Sequence, residues 1–131
     1  MPRNASNHPT EFELEILKLL WTDSPQTVSS IRKGLADGGR SSAHTSVITI
    51  LNIMVEKGYV KKRKLGKIYE FWPIVSESDV SQIMVGDMVN RLFDGSAKHM
   101  MLNLLDQEEL TADELVELRN LINRKVREQK L

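Results

Sequence analysis

The chain has 131 residues, 40% of them apolar, with 18 Lys and Arg against 18 Asp and Glu; this suits one ordinary domain, or one compact module with an appended helical arm. No apolar run approaches the roughly 18 residues of a membrane-spanning helix, and the opening "MPRNASNHPT" lacks the apolar stretch of a signal peptide, so a soluble cytoplasmic protein without membrane insertion is expected. The absence of cysteine excludes disulfides, thiol redox chemistry and cysteine-based zinc sites, and His8, His44 and His99 do not pair at ligand spacing, so neither a metal nor another cofactor is expected.

Zero net charge conceals a polarity. Residues 1–75 carry 11 Lys and Arg against 7 Asp and Glu, a net of +4, and the remainder carries the reverse, a net of −4. A basic front half that meets an anion and an acidic rear half with another task are implied.

Thr10 followed by Glu13 forms a capping-box pattern, and Leu14, Leu17, Leu20 and Trp21 recur at helical spacing, which predicts a first helix from about 10 to 22. Pro25 breaks it, and Thr27 is placed to cap a second helix bearing Val28, Ile31 and Leu35 that ends before "DGG". A third helix, from about 43 to 57, carries Val47, Ile50, Leu51, Met54 and Val55 on one face, with Gly58 as its stop. Its opposite face holds Thr45, Ser46, Thr49 and Asn52, short side chains that donate or accept hydrogen bonds.

Two short β-prone runs follow, "YVKKRK" and "IYEFWP", joined across "LGK" with Gly66 for a tight turn and Pro73 as the end of the second. This hairpin concentrates Lys61, Lys62, Arg63, Lys64 and Lys67 within seven positions. From Ser76 the pattern is helical only, first through Val80, Ile83, Met84, Met88, Leu92 and Phe93. "FDGSAK" interrupts it, "KHMMLNLL" forms a short apolar helix, and Thr111 with Glu114 makes a second capping box, stapled by Leu110 and Leu115. The last helix carries Leu115, Leu118, Leu121, Ile122 and Val126.

The order predicts a mainly α fold with a small β hairpin: an N-terminal winged helix-turn-helix over 1–75 and a C-terminal helical dimerisation domain over 76–131. In such a module the third helix enters the major groove, so Thr45, Ser46, Thr49 and Asn52 are the expected readers of base edges, and the five wing cations the expected phosphate contacts. Five close cations repel one another, and a polyanion removes that cost. The plainer reading of the hairpin is an edge guarded by lysines against strand pairing, for which two or three would suffice. The plainer reading of the helix face is a solvent-facing stripe; its place directly before the basic hairpin argues against that.

The C-terminal helices are too short to bury their apolar residues against one another. A symmetric second copy is expected to cover Ile83, Met84, Met88, Phe93, Met101, Leu102, Leu118, Leu121 and Ile122, in preference to folding back on the winged helix. The six methionines read as flexible core or interface filler, not as a metal site. An enzyme is not expected, because the chain offers no activated nucleophile, no phosphate-cradling glycine loop and no acidic pair in an apolar surround. Two other rivals are a winged helix that binds an acidic protein partner, and a repressor released by a small ligand.

Four segments in order, "PTEFELEILKLLW", "SPQTVSSI", "TSVITILNIMVEKGYV" and "RLFDGSAKHMMLNLL…EELTADELVELRNLI", carry a resemblance that covers nearly the whole chain. The sequence resembles the penicillinase-repressor family of bacterial winged-helix regulators, which includes methicillin-resistance repressors and a copper-responsive branch. The resemblance implies a homodimer on a dyad operator in double-stranded promoter DNA, repressing transcription. In the β-lactam branch a membrane-bound sensor with a metalloprotease domain leads to cleavage in the dimerisation arm, after an Asn in a segment like "LVLNF". The corresponding "MMLNLL" here implies a cleavable bond between Asn103 and Leu104, with Leu104 where Phe is usual; a pocket shaped for an aromatic ring fills less well with Leu. Ile48 and Ile53 stand where relatives that control penicillinase often carry Arg or Lys, which implies a different operator. The cysteine cluster of the copper-responsive branch is absent, which excludes copper sensing by that route.

Overall fold

A computed structural model describes residues 8–130. The elements run α1 (Glu11–Thr22), β1 (Gln26–Thr27), α2 (Val28–Asp37), α3 (His44–Lys57), β2 (Val60–Leu65), β3 (Ile68–Pro73), α4 (Glu77–Leu92), α5 (Ala97–Gln107) and α6 (Ala112–Gln129). Packing divides the chain into two units, with the division inside α4 between Asp87 and Met88.

In the first unit, α1 begins where the sequence expects it. Thr10 and Glu13 close a reciprocal capping box: the Glu13 amide donates to Thr10 Oγ1 at 3.2 Å and the Thr10 amide donates to Glu13 Oε1 at 2.8 Å. Ile16, Leu17 and Leu20 follow on one stripe, fully buried against Ile31 and Leu35 of α2 and Val47, Leu51 and Met54 of α3. Each such side chain, withdrawn from water, contributes roughly 1.5–3 kcal/mol. Val60 of β2, Phe71 of β3 and Val80 of α4 complete the core, so the start of α4 belongs with the winged helix.

The sheet has three antiparallel strands in the order β1-β3-β2, one more than the expected hairpin. β1 is two residues long, too short for any alternation to be visible in sequence. Thr27 serves twice: it pairs with Glu70 in the ladder, and its hydroxyl accepts the Ser30 amide at 3.2 Å to cap α2. Gly58 ends α3 in the left-handed conformation (φ 81°), and Gly66 turns the hairpin at φ 66°, both backbone states that a side chain disfavours.

Three long-range contacts fix the unit. The Glu13 carboxylate, 2% exposed, receives Lys57 Nζ at 3.0 Å to both oxygens, which ties the start of α1 to the end of α3. Arg40, after α2, donates to Glu15 Oε2 at 2.9 and 2.5 Å and lies 4.4 Å over the Phe12 ring. The hydrogen bond from Arg40 holds the Glu15 carboxyl below its ordinary range. Trp21 donates from Nε1 to the Val75 carbonyl at 2.8 Å, anchoring the chain that leaves the sheet.

The second unit contains the end of α4, α5 and α6. The expected capping box of α6 is present: Thr111 Oγ1 accepts the Glu114 amide at 3.1 Å, and Glu114 Oε1 accepts the Thr111 amide at 3.0 Å. The Thr111 hydrogen bonds, backbone first, hold the Glu114 carboxyl below its ordinary range. Ser96 caps α5 by accepting the His99 amide. Yet no residue of α5 or α6 is buried. Their apolar side chains, among them Met101, Leu104, Leu105, Leu118, Leu121 and Val126, line an open groove of about 700 Å³. Among the described residues no helix is long and apolar enough to cross a membrane.

Candidate nucleic-acid interface

Burial of Val47, Leu51 and Met54 turns the other side of α3 outward, and Thr45, Ser46, Thr49 and Asn52 are all exposed on it. Spacings of three and four place these residues on neighbouring turns of one face. Thr49 Oγ1 donates to the Thr45 carbonyl at 2.9 Å, a bond that leaves its oxygen free to accept. Ile48 and Ile53 are half-buried flanks of this face.

The wing divides its cations by strand alternation. Lys62 and Lys64 share one face of β2 with the buried Val60, while Lys61 and Arg63 share the other. Lys62 stands opposite Phe71, and Arg63 opposite Glu70. Glu70 is 8% exposed and engages both Nε and Nη2 of Arg63 through its Oε1. Arg63 is therefore neutralised within the wing, an arrangement that the run of basic residues conceals because its partner lies on the other strand.

Lys62 and Lys67 join Asn52 in a groove of about 490 Å³, whose lining includes Thr27, Ser29, His44, Ile48 and Tyr69. Lys61, Arg63 and Lys64 do not line it. Within the groove Lys62 Nζ donates to Asn52 Oδ1 at 3.2 Å. Ser29 also borders a polar recess with Arg32, Lys33, Ser41 and Ser42, where Arg32 Nε donates to the Ser42 carbonyl at 2.7 Å. This second basic patch was missed in sequence. Arg32 and Lys33 are exposed on α2, and their spacing from the buried Ile31 and Leu35 is the signal that could have revealed it.

Of the residues expected at a dimer interface, Met101, Leu118, Leu121 and Ile122 line the α5–α6 groove. Ile83, Met88 and Leu102 are exposed, and Phe93 is half-buried. Met84 packs against the winged-helix core instead. Asn103 and Leu104 lie inside α5, with Leu104 in the groove wall. Among the described residues no cluster of His, Asp or Glu could hold a metal ion.

The family model described as penicillinase repressor matches residues 9–124. The chain belongs to the penicillinase repressor family. It is accordingly a DNA-binding transcriptional repressor and not an enzyme. The methicillin resistance regulatory protein MecI of Mammaliicoccus sciuri is 26% identical over 122 residues, covering 93% of this chain and 98% of that one. The penicillinase repressor of Bacillus licheniformis is 27% identical over 113 residues, covering 86% and 88%. Among solved structures, RosR of H. salinarum shares the fold at a TM-score of 0.51 and 19% identity, over 93% of this chain and 97% of that one.

Proposed function

We propose that this repressor is a cytoplasmic homodimer that occupies a dyad operator in promoter DNA and blocks transcription. The observation that carries the reading is the groove in which Asn52, on the polar face of α3, meets Lys62 and Lys67 of the wing. In this reading Thr45, Ser46, Thr49 and Asn52 read base edges, Lys61, Lys62, Lys64 and Lys67 meet phosphates, and Arg63 supports the wing through Glu70. The functional boundary lies near residue 75, after the wing. From residue 76 the helices hold two copies together, because the apolar groove of α5 and α6 is completed by the same surface of a second chain.

Derepression proceeds by cleavage between Asn103 and Leu104, with a membrane sensor metalloprotease as the upstream partner. Both residues are helical, so α5 must unwind locally before a protease can hold that bond in an extended form. Cutting there would part Met101 from Leu104, Leu105 and α6 in the groove lining, and would sever the winged helix from α6. Two linked winged helices give the second half-site contact a high effective concentration, and cleavage removes it.

Footprinting of the purified protein on the DNA upstream of its own gene, across a salt series, tests the reading. Expected are a protected palindrome with half-sites one or two helical turns apart and affinity that falls steeply with salt. Weak binding indifferent to sequence would overturn it.

A further inference from the structure

Lys62 touches the reading helix. Its Nζ donates to Oδ1 of Asn52 at 3.2 Å and lies 4.8 Å from the centre of the Tyr69 ring. Its strand position is set by burial, since Phe71 directly opposite is a core residue. An ammonium group has donors only, so the amide of Asn52 must turn its oxygen towards Lys62. That leaves Nδ2, which also only donates, for a base.

An unrestrained Asn reads adenine through two bonds, donating to N7 and accepting from the N6 amino group. Here one lone pair of the accepting oxygen is taken by Lys62, so an N6 amino group could use only the second and would be crowded against the ammonium, donor beside donor. Guanine presents two adjacent acceptors, N7 and O6. One can take Nδ2 of Asn52 and the other the ammonium. We propose that Asn52 and Lys62 act as one paired donor that selects guanine over adenine at one position in each half-site. This rests on the operator-binding reading above and gives Lys62 a part in sequence choice, beyond the sequence-indifferent attraction of a phosphate contact.

Selection of binding sites from a randomised duplex library, with the full-length protein and three single variants, tests it. All three positions are exposed, so the fold should survive each change. The wild type should enrich guanine at one position per half-site. Asn52→Ala should lose that preference, and Lys62→Met should lower it by roughly 5- to 100-fold, with adenine rising at the same position. Lys64→Met should weaken binding to every site and leave the preferences unchanged. The proposal is overturned if Lys62→Met keeps the guanine preference, if Asn52→Ala changes no position, or if the wild type selects adenine where Asn52 acts. A wild type that enriches no sequence at all would remove the operator-binding reading, and this proposal with it.

Discussion

The first helix and the last begin with the same device, yet the two ends of the molecule use it differently. Thr10 with Glu13 and Thr111 with Glu114 are both complete capping boxes. In α1 the Glu13 carboxylate is buried, paired with Lys57, and followed by three buried apolar side chains. In α6 Glu114 is exposed, and Leu118, Leu121 and Ile122 remain 39%, 41% and 56% exposed. Local signals can start a helix anywhere, whereas most helical stability comes from what covers the apolar face. The winged helix supplies that cover from its own chain; α5 and α6 do not.

This contrast can be broken from either side. The largest effect is expected from the double substitution Leu118→Asp with Leu121→Asp, which places two charges in the apolar groove. Affinity for the dyad operator should fall by three orders of magnitude or so, read by titration of labelled operator, while circular dichroism shows the winged helix still folded. Retained affinity would mean that the groove is not what joins two copies.

A smaller effect, on the self-sufficient side, is expected from Glu13→Ala. It leaves Lys57 without its partner and removes half of a capping box, which should cost about 3 kcal/mol in urea denaturation. A change below about 0.5 kcal/mol would show that the pair adds nothing to the joining of α1 and α3.

The smallest effect concerns pH and sharpens the picture of how the α2–α3 turn is held. The Glu15 carboxyl lies below its ordinary value through the hydrogen bond from Arg40, so the folded form binds that proton less readily than the unfolded chain. The stability it confers is present above the ordinary carboxylate value of 4.5 and is lost as pH falls through the lowered one. Glu15→Gln should therefore lower stability at neutral pH slightly and flatten its decline in acid, as followed by thermal melts. Parallel acid declines in the two proteins would contradict this.

How much of this was legible in sequence depended on distance along the chain. The capping boxes, the Gly58 stop and the Gly66 turn are signals spanning a few residues, and each stands where it was read. β1 was invisible because two residues carry no period, and Thr27 read only as a cap. Glu13 with Lys57 is 44 residues apart, and Asn52 with Lys62 ten; neither pairing follows from spacing, since both depend on how α3 lies against another element. The wing showed the same limit. Five basic residues within seven positions were obvious, but the division of the four on β2 between two strand faces, with Arg63 held by Glu70, required the register. Met84 read as part of the arm because helical periodicity runs unbroken through α4, while packing assigns it to the winged helix.

Sedimentation equilibrium of the purified full-length protein would put the proposed self-association of the arm to the test. A single species at twice the 15.0 kDa of one chain, shifting to one chain for Leu118→Asp with Leu121→Asp, is the predicted result. A wild-type protein that stays at 15.0 kDa across the micromolar range, with α5 and α6 folded, would contradict it.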